Sequence, residues 1–129
     1  MRTINEIIIH CSATKEGLNF NVNDIRRWHK QKGWKDVGYH YVITLDGEIQ
    51  QGRSLDEIGA HCQGHNKNSI GICYIGGLDE NNKPKDTRTK QQKAALYTLL
   101  KQLCVKFPKA TIHGHNEFNN GKACPCWDV

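Results

Sequence analysis

Apolar residues along the chain fall into short runs and periodic stretches separated by turn residues. Ile4, Ile7, Ile8 and Ile9 make an apolar run over residues 4–11, the pattern of a central strand covered on both faces. Residues 22–32 read as a helix with Ile25 and Trp28 facing inward, Asn21 or Asn23 as its cap and Gly33 as its stop. Two short strands, at about 39–44 and 48–52, flank Asp46-Gly47, a strong hairpin signal. Residues 69–75 predict another strand, ended by Gly76-Gly77, and the polar stretch 79–88 a loop. Thr89-Lys90-Gln91-Gln92 is a capping box that opens a helix to about residue 106. Its Leu96, Leu99, Leu100 and Leu103 recur with a period near 3.6. A last short strand is expected at 110–114 and a loop over 115–129.

Strands alternate with helices, so the expected class is α/β: one domain, residues 1–129, with a mixed central sheet flanked by helices. A chain of 129 residues is long enough to bury a core without covalent staples. It stops right after Trp127-Asp128, which reads as the start of a further helix whose body is missing, so a truncation is expected. No apolar stretch reaches the roughly 20 residues of a membrane helix, and residues 1–6 carry no signal-peptide apolar segment. The expected location is therefore the cytoplasm until release.

Eighteen lysines and arginines against thirteen acids give a formal charge of +5, which steers weakly toward polyanions and selects none of them. The six cysteines, without a secretion signal, read as thiols or metal ligands rather than a disulfide framework. Cys73 and Cys104 read as small buried hydrophobes, and Cys11, next to His10, as a core residue on the opposite strand face.

Three residues have the type and placement for a metal. His10 ends the first strand, His115 follows the last, and Cys124 lies in the loop beyond; strand ends of an open sheet are where such folds build sites. Two imidazoles and one thiolate would give zinc three ligands and leave a fourth position for water. Seven histidines offer many such triples, and His10 and His115 are about 105 residues apart, so spacing alone does not single this one out. No His-Glu-x-x-His pattern occurs, which excludes the common zinc-protease arrangement.

Several stretches stand in a telling order: His10-Cys11-Ser12-Ala13-Thr14, Trp28-His29-Lys30, Gly33-Trp34, Asp36-Val37-Gly38-Tyr39-His40, Asn68-Ser69-Ile70-Gly71 and Lys122-Ala123-Cys124-Pro125. Together they resemble the N-acetylmuramoyl-L-alanine amidases of the bacteriophage T7 lysozyme type, a zinc amidase family related to the peptidoglycan recognition proteins. The resemblance runs from about residue 6 to residue 128. It implies the amidase fold, one Zn²⁺ per chain held by His10, His115 and Cys124, and Tyr39 and Lys122 as catalytic residues. It further implies hydrolysis of the amide bond between N-acetylmuramic acid and L-alanine in peptidoglycan, as an endolysin or prophage-type lytic enzyme. His61 falls where the family places the substrate groove, as a wall or substrate contact or else a loop histidine.

Peptidoglycan is the expected partner of a monomer; nucleic acid is not expected, and a second protein partner is left open. Phe118-Asn119-Asn120-Gly121 is one residue longer than the family pattern. Cys126, where the family need not have a thiol, either competes for the metal or forms a sulfur pair. His29 reads as structural or exposed, His40 as core, His113 as a neighbour of the metal or a surface residue, and His65 as a loop residue. Trp28 and Trp34 read as packing the first helix. Two rival functions remain at this level: a binding module that does not cleave, and a cysteine hydrolase using Cys11 or Cys124 with a histidine.

Overall fold

The computed structural model describes residues 2–119 and 121–129. The isoleucine run forms β1 (Glu6–Cys11), and Ile7, Ile8 and Ile9 are all fully buried. It is followed by β2 (Thr14–Lys15), α1 (Val22–Gln31), β3 (Tyr41–Ile43), β4 (Ile49–Gln51), β5 (Ser69–Tyr74), β6 (Gly77–Leu78), α2 (Lys90–Lys106) and β7 (Thr111–Gly114). Five strands make one sheet in the order β4-β3-β5-β1-β7. Only β3 and β4 pair antiparallel; the other neighbours run parallel, so the sheet is mixed as expected.

The period of two along β1 divides the core. Ile7, Ile9 and Cys11 pack with Ile70, Ile72 and Tyr74 under Leu96, Leu99 and Leu103 of α2. On the other face Val42 and Cys73 pack with Val22 and Ile25 of α1. Ile8 and His10 alternate onto this second face. Among the described residues, no helix is long and apolar enough to cross a membrane.

Both helices start where their side chains can cap them. Asn21 accepts from the Asn23 and Asp24 amides at 2.9 and 3.2 Å, while Asp24 accepts from the Asn21 amide at 2.9 Å. Thr89 and Gln92 make the same reciprocal pair on α2, at 2.9 and 3.0 Å. Gln92 is also almost fully buried, and its amide donates to the Ile75 and Ile43 carbonyls at 2.9 and 3.3 Å, which ties α2 to the sheet.

The hairpin strands are shorter than the pattern predicts. The Gly71 amide donates at 3.0 Å to His40 Nδ1, so a side chain replaces a ladder acceptor just before β3 begins. Tyr39 and His40 thus precede the strand rather than open it, and His40 is fully buried as expected. The two-residue pair β2–β6 carries no pattern from which it could have been predicted. Trp127 and Asp128 form no helix; the Arg88 guanidinium lies 3.5 Å over the Trp127 ring.

Candidate metal centre

β1 and β7 are parallel neighbours, with Ile9 opposite Gly114. Their C-terminal ends therefore reach the same edge of the sheet. His10 sits at the end of β1, with 1% of its surface exposed, and His115 follows β7 directly in a 3-10 turn, His115–Glu117. Their ring centroids are 4.6 Å apart.

Cys124 arrives from the final loop, which is fastened at three points. The Asn116 amide donates to the Cys124 carbonyl at 2.8 Å, the Tyr74 hydroxyl donates to the Pro125 carbonyl at 2.5 Å, and the Cys11 amide donates to Cys124 Sγ at 3.1 Å. The ligand atoms of His10, His115 and Cys124 all lie within 4.8 Å of one another. Among the described residues this is the one group of metal-ligating side chains gathered so closely.

The electrostatics suit a cation. Burial holds His10 well below the usual histidine range, and the His61 and His115 rings add to the effect. Burial and then the Lys122 charge lower His115. Both imidazoles are thus neutral, the form in which histidine binds a metal. Two neutral imidazoles and one sulfur form a donor set that suits zinc, and the gathering of their atoms fits a single ion.

A cavity of about 620 Å³ reaches this cluster at His115, and Tyr39, His61 and Lys122 line it as well. The Tyr39 ring centroid lies 5.1 Å from that of His10. Burial, with nearby cysteine sulfurs, raises the Tyr39 phenol well above its ordinary value, so the hydroxyl keeps its proton. His61 is pushed down to about 3, by burial first and then by His40, His115, Arg2 and Arg53. Its Nδ1 lies 2.8 Å from His10 Nε2.

Trp34, Lys32 and Phe118 also line the cavity, though no repeat in the sequence points them there. Trp34 was expected to pack against the first helix. It does so: Gly33, at φ +89°, turns the chain out of α1, and the Trp34 ring lies 4.5 Å from that of His29 in α1, while more than a third of its surface stays exposed toward the cavity. His29, read as structural or exposed, is buried: it accepts from the Gly38 amide at 2.8 Å, and burial, with Lys32 and Arg53 nearby, lowers it to about 4. The turn residue Gly33 was the local signal that its neighbours leave the helix.

The other histidines and thiols have structural partners. His113 lies 2.9 Å from Glu117 and 2.6 Å from Thr111, which makes it a half-exposed surface residue. His65 pairs with Glu6 at 2.9 Å and stacks on Phe118 at 4.0 Å. Cys126 is not in the ligand cluster; its sulfur lies 3.9 Å from Cys11 Sγ and donates to the Gly77 carbonyl at 3.2 Å. Cys73 is fully buried, while Cys104 is only half-buried.

Residues 1–127 match the family described as N-acetylmuramoyl-L-alanine amidase, and the chain belongs to that family. It is 44% identical over 123 residues to the endolysin of Escherichia phage T7, covering 95% of this chain and 81% of that protein. It is 43% identical over 124 residues to the endolysin of Enterobacteria phage K11, covering 96% and 82% respectively. Among solved structures it superposes on the N-acetylmuramoyl-L-alanine amidase LysC from Clostridium intestinale with a TM-score of 0.83 at 28% identity, covering 99% of this chain and 80% of that one. The activity is accordingly of the amidase type, hydrolysis of amide bonds in peptidoglycan.

Proposed function

We propose that the chain is a single-domain zinc amidase, acting as a monomer, that cleaves the bond between the lactyl group of N-acetylmuramic acid and L-alanine. The observation that carries this reading is the meeting of His10, His115 and Cys124 within 4.8 Å beside an open cavity that His115 lines. These three residues would hold the zinc ion. Bound there, zinc supplies Lewis acidity, which polarises an amide carbonyl and acidifies water.

The chain's own groups supply the rest. Lys122 brings a compact positive charge to the oxygen that becomes negative when the amide carbon turns tetrahedral. Tyr39, protonated and beside His10, would turn its hydroxyl from Cys73 to donate a hydrogen bond to the substrate in the same space. His61 forms part of the wall. Both of its ring nitrogens are engaged within the protein, so its contact with substrate would be through ring carbons. Trp34 and Lys32 give the groove an aromatic face and a cation, suited to a substrate with sugar and carboxylate parts.

The test is muropeptide release by the purified protein before and after exhaustive chelation. Loss of activity with chelator and return with Zn²⁺ supports the reading. Activity that survives complete metal removal overturns it in favour of a cysteine hydrolase.

A further inference from the structure

His61 has a second relationship, one that faces inward. Its Nδ1 lies 2.8 Å from His10 Nε2, and its Nε2 lies 3.2 Å from Ser69 Oγ, a fully buried hydroxyl. The backbone around it is pinned, because the His61 and Cys62 amides both donate to Asn66 Oδ1, at 3.0 and 2.9 Å. The ring also occupies a slot that only glycine leaves open. A Cβ on Gly71 would fall 2.6 Å from His61 Cγ and Cδ2, and one on Gly59 would fall 2.7 Å from Cδ2. A side chain that merely lines a groove needs neither a two-sided hydrogen-bond arrangement nor a slot cut for its ring.

The arrangement has one consistent proton order if His10 holds a metal. A neutral ligating histidine carries its proton on the nitrogen that does not face the ion. Nε2 of His10 faces His61, so Nε2 carries the proton and Nδ1 is left for the metal. His61 Nδ1 must then accept. Its own proton sits on Nε2 and points at Ser69 Oγ, which accepts in turn. Ligating histidines ordinarily donate to a carboxylate, a carbonyl or water. Here a second imidazole takes that place.

We propose that His61 is a positioning residue for the metal centre, accepting the ring proton of His10 so that His10 Nδ1 faces the ion, while Ser69 fixes the tautomer of His61. This rests on the metal reading of His10, His115 and Cys124 given above. A role limited to substrate contact would change KM and leave metal affinity alone.

The experiment is a competition titration of Zn²⁺ against a colorimetric chelator, with wild type, His61→Ala, His61→Asn and Ser69→Ala. Ring-nitrogen NMR of the zinc-free wild type accompanies it. Loss of an outer-shell partner weakens metal binding by about 10- to 100-fold, which is the expectation for His61→Ala. Asn at 61 keeps an acceptor oxygen close to the place of Nδ1 and should recover most of that loss, which separates a lost hydrogen bond from a damaged fold. Ser69→Ala should fall in between. The NMR should show His10 and His61 both protonated on Nε2. Zinc affinity unchanged in His61→Ala, or a His10 proton on Nδ1 in the zinc-free protein, overturns the inference while leaving the metal reading intact. Wild type that takes up no zinc overturns the metal reading and the inference with it.

Discussion

The backbone amide of Cys11 donates to the sulfur of Cys124 at 3.1 Å, across 113 residues of sequence. That hydrogen bond ties the sulfur to the end of β1, beside His10. Cys124→Ala removes a proposed ligand and leaves that amide without its acceptor. The loop keeps its other anchors, at Asn116 and Tyr74, so the fold should survive. Metal analysis of the purified variant should show no retained zinc, with circular dichroism close to wild type. Full zinc occupancy in this variant would remove Cys124 from the ligand set.

Lys122 lines the cavity, and its charge is felt at His115. Lys122→Met should leave zinc content unchanged while lowering kcat by on the order of a hundredfold, the scale of a lost oxyanion donor. Steady-state kinetics on a soluble muropeptide, paired with metal analysis, checks both halves. A variant with wild-type kcat would show that another group stabilises the oxyanion.

Gln92 joins α2 to the sheet while it caps its own helix. Gln92→Leu fills the space but leaves the Ile75 carbonyl without its buried donor and the Thr89 amide without its acceptor, while the Ile43 carbonyl keeps the Ile75 amide. A loss of about 1–3 kcal/mol in unfolding free energy is expected from the unsatisfied groups. Urea denaturation measures it, and a variant as stable as wild type would show that water replaces the amide there.

His29 makes stability depend on pH. Its folded value is about 4, against about 6.5 for the free side chain, so between these values the unfolded chain binds more protons at this site. The contribution is complete above about pH 6.5 and is lost as the pH falls toward 4. In His29→Asn, whose amide oxygen can still accept from Gly38, this dependence is absent. The stability of wild type relative to the variant should therefore shrink from pH 7.5 to pH 4.5. Parallel denaturation curves at the two pH values measure it, and a constant difference would show that His29 does not titrate with folding.

Patterns that live within one element were readable. The isoleucine run announced a strand buried on both faces, the Thr89 capping box placed α2 to the residue, and Asp46-Gly47 placed the hairpin. The pairing of β2 with β6 was not readable, because two residues carry no period. The site divides in the same way. The family resemblance singled out His10, His115 and Cys124, but only the parallel pairing of β1 with β7 explains why residues from opposite ends of the chain meet. Trp34 was legible as a partner of α1 but not as a wall of the cavity, and Phe118 went unplaced, because one follows a helix stop and the other lies in the longer loop before Lys122. In both, the direction of the side chain is decided by a turn rather than by a repeat.

The route of the chain gives the ligand cluster a mechanical meaning. One candidate ligand sits on the first strand and another on the closing loop, with almost the whole polypeptide between them. An ion gripped by both acts as a clasp, joining opening and closing segments that are otherwise held together by edge-strand bonds and a few loop contacts. Whatever loads such a metal would then also fasten the tail, and resistance of the closing loop to proteolysis would become a direct gauge of occupancy.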